Sequence, residues 1–196
     1  MATAGLARSW ADAFFRILQT HDVAVGLKEA ALTAALGVWT ERLTSVVVAT
    51  CEELGWRPAA KGHLGNVLSL ARHEYLALDV MAFRSRDTSR WPFPIAVFEL
   101  ENSREEDRIV YSLWKVLCIR APLRVVFAYR HDAREGITLI NRLTESVIGG
   151  LPIDERMALS GETSLVIGSR GEAETFPYGY FKIWTLNANT GRFERV

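Results

Sequence analysis

The sequence predicts one α/β domain in which helices cover both faces of a mixed β-sheet. Three observations lead to this prediction. The chain has 196 residues, of which 49% are hydrophobic, which is enough for a sizeable core. Segments with the apolar period of helices alternate with short apolar runs typical of strands. One such run, residues 123–129, is almost continuously apolar, as expected for a strand covered on both faces.

The first third of the chain has the pattern of helices. Ser9 is placed to cap a first helix, because a serine hydroxyl accepts a free N–H at a helix start. An alanine-rich helix is expected over residues 27–36, and a longer helix over 38–54, which Gly55 ends. A loop is then predicted from three residues that interrupt regular structure, Pro58, Gly62 and Gly65.

Two antiparallel strands are predicted in the middle of the chain, over residues 73–83 and 94–101. Ser103 and Glu106 then match a capping box, so a helix is expected to begin there. The apolar strand 123–129 follows that helix. A strand, a helix and a strand in this order predict a parallel crossover.

The last third of the chain predicts another helix, another strand and a C-terminal hairpin. These elements are expected over residues 137–148, 164–168, 180–186 and 192–196. Three aromatic residues near the hairpin are expected to pack in the core or in a subunit contact, namely Tyr178, Tyr180 and Phe181. We therefore expect a single domain, 1–196, made of a helical N-terminal extension, 1–37, and an α/β core, 38–196.

Charge and composition restrict the classes of function. The formal net charge is zero, so no overall field draws the protein to nucleic acid or anionic membranes, which counts against a nonspecific DNA coat. No apolar run approaches the roughly 20 residues that cross a bilayer. The N-terminal segment contains Arg8 and Asp12 and lacks the apolar stretch of a signal peptide. Cys51 and Cys118 lie in apolar helical patterns, which predicts core residues in a reducing compartment. We expect a cytoplasmic protein.

Three acids lie within the two predicted middle strands. Asp79 is in the first strand, and Glu99 and Glu101 are in the second, on the same side as Ile95 and Val97. Burial and mutual repulsion both disfavour ionised acids, so such a group needs a proton or a cation. Magnesium prefers oxygen ligands of this kind. The residues therefore predict a metal site, with solvent-facing acids paired to arginines as the alternative.

The order of these acids and elements resembles the PD-(D/E)XK nuclease superfamily, which includes restriction endonucleases. In that superfamily a helical acid precedes an Asp in one strand and a Glu-x-Lys in the next, and a helix and a strand follow. The resemblance covers about residues 38–130. It implies a restriction-endonuclease-like fold, with a mixed central sheet flanked by helices, and a magnesium- or manganese-dependent nuclease that cleaves DNA phosphodiester bonds. Glu101 stands where the superfamily usually has Lys.

The resemblance also implies a metal ligand set. Asp79 and Glu99 would be the primary ligands of Mg²⁺ or Mn²⁺, and the backbone carbonyl of Leu100 would be a third. Glu101 would be an additional ligand or a general base. A metal held in this way lowers the pKa of bound water and acts as a Lewis acid on the phosphoryl group.

The helical acid and the missing lysine have candidates elsewhere in the chain. Glu41, near the start of the helix 38–54, matches the helical acid best, with Glu52 and Glu53 as alternatives. Lys115 lies on the helix after the two strands and is a candidate for the replacement lysine, as is Lys182 in a later strand. The alternative for Lys115 is an ordinary solvated lysine on a helix face that also carries Arg104, Arg108 and Tyr111.

Three functions remain open from the sequence. The first is a DNA nuclease, and the second is a catalytically inactive nuclease-fold protein that binds DNA or associates with proteins. The third is a structural subunit in which the C-terminal hairpin forms a homodimer. The loop between the two middle strands carries Arg84, Arg86, Arg90 and Trp91, a combination that binds phosphates and stacks bases or simply forms a soluble hairpin. Two further pairs, His73–Glu74 and His131–Asp132, are expected to be surface or turn residues.

Overall fold

The computed structural model describes residues 5–63, 67–68, 75–87 and 89–196. The helices are α1 (Leu6–Leu18), α2 (His21–Leu32), α3 (Leu36–Glu53), α4 (Glu106–Leu117), α5 (Ala133–Leu143) and α6 (Ile153–Ala158). A π-helical turn, Thr144–Ile148, continues α5, and a 3-10 segment spans Arg170–Thr175. The strands are β1 (Trp56–Ala60), β2 (Val80–Arg84), β3 (Ala96–Leu100), β4 (Leu123–Arg130), β5 (Glu162–Ser169), β6 (Phe181–Asn187) and β7 (Arg192–Arg195).

The seven strands form one mixed sheet in which they lie side by side in the order of the sequence. Strands β3, β4 and β5 are parallel, whereas β1, β2, β6 and β7 each run antiparallel to their neighbours. The α/β class and the parallel crossover through α4 are therefore confirmed. Strands β3, β4 and β5 all end at one edge of the sheet, and β2 begins there. Residues just before β2 and just after the three parallel strands therefore lie near one another.

Aromatic residues pack the face of the sheet that α1, α2 and α3 cover. Trp10 and Phe14 of α1 are fully buried and stack with ring centroids 5.0 Å apart. Trp10 also contacts Phe98 of β3 and Phe127 of β4. Helix α1, in the predicted N-terminal extension, thus contributes to the centre of the core.

Aliphatic residues pack the opposite face, under α4 and α5. Val97 of β3 and Val126 of β4 lie there together with Leu113 of α4 and Leu139 of α5, all of them almost completely buried. Because side chains alternate along a strand, Phe98 and Leu100 face the aromatic layer while Val97 faces the aliphatic one. No helix among the described residues combines the length and apolarity needed to cross a membrane.

The segment between α3 and β3 differs most from the prediction. Residues 56–60, expected as a loop, form β1, and Pro58 is tolerated because β1 is an edge strand. The expected strand 73–83 begins only at Val80, because Leu76 and Ala77 have φ values of 55° and 53°, which no strand accommodates. His73 and Glu74 lie outside the described residues.

Several helix starts also differ from the prediction. The expected helix 27–36 is α2, which begins at His21 and ends at Leu32. The capping box is wrong, because α4 begins at Glu106 and the Ser103 hydroxyl accepts the Glu105 N–H instead. Helix α5 begins at Ala133, before the expected residue 137, because the Asp132 carboxylate accepts the Glu135 N–H and caps it.

The remaining core predictions have mixed outcomes. Tyr180 and Phe181 are buried in the aromatic layer as expected, whereas Tyr178 is exposed. Cys51 is buried, but Cys118 is exposed at the end of α4 and is not the core residue that the sequence suggested.

Candidate functional site

The candidate site lies at the sheet edge where β2 begins and β3 ends. Asp79 immediately precedes β2, and Glu99 is the penultimate residue of β3. The antiparallel register pairs Val80 with Phe98, so one further step places Asp79 opposite Glu99. The Asp79 carboxylate also accepts a hydrogen bond from the Leu100 N–H, at 2.6 Å. The structure thus brings together the two acids that were predicted as primary ligands.

Glu99 is buried and is paired with a lysine of α4. Its Oε2 atom lies 2.7 Å from Lys115 Nζ and 3.5 Å from the Ser112 hydroxyl. The same ammonium group donates to the backbone carbonyl of Ala77, at 2.8 Å. Ser112 and Lys115 reach Glu99 together because residues three apart share a helix face. The other carboxylate oxygen, Glu99 Oε1, is buried and has no hydrogen-bond partner among the described residues.

The surroundings of Glu99 change its acidity. Burial raises its pKa to about 7, and the charge of Asp79 acts in the same direction, while Lys115 and Ser112 oppose the shift. Desolvation therefore outweighs the ion pair at this carboxyl group. A cation bound at Oε1 would further stabilise the ionised form of Glu99 near neutral pH.

Glu101 does not join the two other acids. It lies beyond the end of β3, where its carboxylate accepts the Ser103 N–H at 2.7 Å. Across the described ranges, no group of three or more His, Cys, Asp or Glu side chains is placed to hold one metal ion. The predicted three-carboxylate cluster is therefore corrected to a pair, because the turn after β3 engages the third acid. Leu100 ends β3, and its role as a carbonyl ligand remains a prediction.

Glu41 lies in a different part of the molecule. Its side chain lines a cleft of about 590 Å³ between the first three helices, together with Asp22 and Arg42. The neighbouring residue Thr40 reaches the sheet edge instead, where its hydroxyl accepts the Asn102 side-chain amide at 2.8 Å. Successive helix residues point about 100° apart, so Thr40 and Glu41 face different ways. The prediction of Glu41 as the helical acid is not supported by this placement.

The two candidate lysines also differ in position. Lys115 is not a solvated surface lysine, since only 17% of its side chain is exposed and its ammonium group contacts Glu99. Lys182 instead lies in β6 and donates to the Gly179 carbonyl, at 2.8 Å, near the Glu172 carboxylate. The structure therefore joins the lysine of α4, and not that of β6, to Glu99.

Three residues near the site were not predicted as site residues, namely Arg170, Tyr129 and Trp39. The Arg170 guanidinium donates to the Asn102 carbonyl, at 3.1 Å, and lies over the Tyr129 ring, 5.3 Å from its centroid. The Tyr129 hydroxyl accepts a hydrogen bond from the Trp39 indole, at 3.0 Å. The only sequence signal for Arg170 is its position directly after an apolar strand.

The arginine-rich loop lies at the other end of β2 and β3. Asp79 precedes β2, and Arg84 ends it, so about 17 Å of extended chain separates the loop from the acids. Trp91 is exposed there, as are Arg86 and Arg90. This loop therefore does not contact a ligand atom held at Asp79 and Glu99.

Comparisons of the chain with models of known protein families, with curated proteins and with solved structures found no match.

The pair of acids fits the ligand requirements of a magnesium ion. Magnesium is commonly held by one or two protein carboxylates and keeps several water ligands, with substrate phosphates completing the shell. Asp79 and Glu99 supply two carboxylates from adjacent strands. The buried Glu99 Oε1 atom, which has no hydrogen-bond partner within the described residues, is an oxygen that a cation would satisfy.

Proposed function

We propose that the protein is a magnesium-dependent nuclease with a restriction-endonuclease-like fold, which cleaves phosphodiester bonds in DNA. The observation that carries the proposal is the juxtaposition of Asp79, Glu99 and Lys115. Two acids on adjacent strands meet an ammonium group 2.7 Å from one of them. In this proposal Lys115 replaces the lysine that the PD-(D/E)XK motif has at the position of Glu101.

The order of elements around the site supports the proposal. Helix α3 precedes the strands that carry Asp79 and Glu99, and α4 and the parallel strand β4 follow them. This is the order on which the resemblance to the superfamily rests. Lys115 lies on α4, directly after the strand that carries Glu99. A single crossover unit, β3–α4–β4, therefore supplies both the carboxylate and the ammonium group.

The chain's own residues position the reacting groups. A bound magnesium ion would be held by Asp79 and Glu99 and would supply a water of lowered pKa and a Lewis acid. The Leu100 N–H fixes one oxygen of Asp79. Lys115 holds Oε2 of Glu99, which favours the ionised carboxylate and leaves Oε1 for the ligand. The ammonium group also supplies positive charge close to where a phosphoryl group would acquire negative charge.

A second candidate function is a catalytically inactive nuclease-fold protein that binds DNA or associates with a protein. The specific observation in its favour is that Lys115 already neutralises Glu99 at Oε2. An ion pair of this kind satisfies a buried acid without a metal. Glu101, at the position of the motif lysine, agrees with this alternative as well.

A cleavage assay tests the first proposal. Supercoiled plasmid and circular single-stranded DNA are incubated with the protein and Mg²⁺ or Mn²⁺, and the products are separated on agarose. We expect Asp79→Asn, Glu99→Gln and Lys115→Met to lower the cleavage rate at least a hundredfold. The exposed substitutions Asp154→Asn and Lys61→Met control for loss of an acid or a lysine elsewhere and should retain the parent rate.

Metal binding distinguishes the two candidate functions. Isothermal titration with Mn²⁺ should show one site that Asp79→Asn removes while Asp154→Asn retains it. A folded parent protein that leaves both DNA forms intact with either metal contradicts the nuclease proposal. A gel shift of DNA by that same protein would then favour the inactive, DNA-binding alternative.

A further inference from the structure

A second cleft opens at the same sheet edge, beyond Asn102. It has a volume of about 420 Å³ and lies at the ends of β4 and β5, beside the start of α4. Its polar lining includes three arginines, two acids and a histidine, namely Arg104, Arg130, Arg170, Glu106, Glu135 and His131. We refer to this space as the arginine cleft.

The two acids of the arginine cleft are already engaged. Glu106 Oε2 accepts a hydrogen bond from Arg142, at 2.5 Å. Glu135 Oε2 accepts the backbone N–H of His131, at 3.0 Å. In both interactions the acid accepts from a group other than the three arginines that face the cleft. The two acids therefore do not satisfy all the donors of those arginines.

Two of the arginines have unused donors. Arg130 Nη2 is buried and makes no hydrogen bond within the described residues, and the Glu106 carboxylate lies 3.8 Å from it. Arg104 is exposed, and no hydrogen bond or ion pair of its guanidinium is found in the described part of the chain. Donors without acceptors in a concave site indicate an anionic ligand.

The third arginine is held in place by Asn102, which follows β3, and by Tyr129 of β4. Arg170 donates to the Asn102 carbonyl and lies over the Tyr129 ring. A guanidinium fixed in this way binds a phosphate with little further loss of side-chain freedom. The cleft therefore combines one preoriented arginine with two that have free donors.

The arginine cleft is close to the candidate metal site. The Glu101 N–H donates to the Phe127 carbonyl, which continues the parallel pairing of β3 with β4 past Glu99. Asn102 follows Glu99 by three residues, or about 10 Å of extended chain. A nucleic-acid strand with a rise of 3.4 Å per nucleotide covers that length in about three nucleotides.

We infer that the arginine cleft binds a backbone phosphate of the same DNA strand that is cleaved at Asp79 and Glu99, about three nucleotides from the cleaved bond. The inference rests on the proposed function for the identity of that strand. It also assigns DNA contact to the edge of the parallel strands and not to the arginine-rich loop at the other end of β2.

Fluorescence anisotropy without metal tests the cleft separately from the chemistry. A 5′-fluorescein-labelled single-stranded oligonucleotide is titrated with the full chain in EDTA, over a range of KCl concentrations. Arg104→Gln should weaken binding about tenfold and reduce the slope of log K against log salt by about 0.7. Arg108→Gln is the matched control, because Arg108 follows four residues later, pairs with Glu105 at 3.0 Å and does not line the cleft. It should stay within twofold of the parent.

The outcomes separate this inference from the proposed nuclease activity. Equal weakening by Arg104→Gln and Arg108→Gln indicates a diffuse positive surface and overturns the cleft. If cleavage depends on Asp79 but Arg104→Gln binds DNA as tightly as the parent, the phosphate site in the cleft is contradicted and the nuclease proposal stands. Binding that depends on Arg104 without any cleavage supports the cleft and contradicts the nuclease. Inorganic phosphate that binds by calorimetry, without DNA binding, identifies free phosphate as the ligand and overturns the strand assignment.

Discussion

The two faces of β3 differ in what their buried residues contribute. On one face, Phe98 packs against Trp10 and Phe127, and every contact stabilises the fold through apolar burial. On the other face, Glu99 is buried beside Val97 and requires the ammonium group of Lys115. Burial of that ion pair costs desolvation free energy that the attraction only partly recovers. Phe98 therefore adds to stability, whereas Glu99 lowers it, which agrees with the ligand role proposed above for Glu99.

The largest loss of stability is expected on the aromatic face. Phe98→Ala should lower the free energy of unfolding by about 4 kcal/mol, because it leaves a cavity among packed rings. Urea denaturation at neutral pH measures this change. Phe93→Ala, at a residue that is 68% exposed, is the matched control and should cost less than about 0.5 kcal/mol. Similar values for the two variants would show that β3 is not packed as described.

Removal of Lys115 should lower stability, because the buried Glu99 then lacks its counter-charge. Lys115→Met leaves Glu99 buried without its counter-charge, so we expect a loss of about 3 kcal/mol at pH 8. At pH 5 the loss should be smaller, because Glu99 can then be neutral. The double variant Glu99→Gln/Lys115→Met should recover part of the stability. An equal loss at both pH values would instead attribute the effect to packing of the lysine stem.

The raised pKa of Glu99 predicts a pH dependence of stability. A pKa of about 7 in the folded protein lies above the ordinary value of 4.5, so the folded state binds this proton more tightly. The resulting stabilisation is complete below about pH 4.5 and is lost as the pH rises through about 7.

Substitution of Glu99 measures that contribution directly. The free energy of unfolding of Glu99→Gln, minus that of the parent, should rise by about 2–3 kcal/mol between pH 4.5 and pH 8. Asp79, Lys115 and Ser112 face this carboxyl group and remain in both proteins. Denaturant titrations in EDTA give the difference, and exposed Glu145→Gln should follow the parent curve. A difference that does not change with pH contradicts the raised pKa.

The smallest effect is expected where α3 meets the sheet edge. Thr40→Val removes the acceptor of the Asn102 amide and should cost about 1 kcal/mol. Thr138→Val is the control. The exposed Thr138 hydroxyl donates to a carbonyl of its own helix, as the Thr40 hydroxyl also does to Leu36, but within the described part of the chain it has no contact like that of Thr40 with Asn102. Equal costs for the two variants would show that the contact with Asn102 contributes nothing measurable.

The sequence predicted the central strands because their apolar runs leave few alternatives. Strand β4 and the antiparallel pair of β2 and β3 follow from such runs, and the meeting of Asp79 with Glu99 follows from strand pairing. Strand β1 was missed because Pro58 suggests a loop unless the strand is known to be an edge.

Other parts of the site depend on tertiary geometry. The placement of Glu41 does not support its predicted role, because the helix orientation, which sequence spacing leaves open, directs Thr40 to the sheet edge. The ion pair of Lys115 depends on where α4 crosses the sheet. The arginine cleft is lined by residues that are far apart in sequence, such as Arg104 and Arg170, so no local sequence motif predicts it.

The position of α1 has a consequence for how the chain reaches its native state during synthesis. Each strand pairs only with its neighbours in sequence, so the sheet can grow in the order in which the ribosome releases it. Helix α1 is made before the strands, yet Trp10 packs against Phe98 of β3 and Phe14 against Phe181 of β6. The apolar face of α1 therefore stays uncovered until the ribosome has released most of these strands. We expect nascent chains to be most prone to aggregation, and to depend most on chaperones, during that interval.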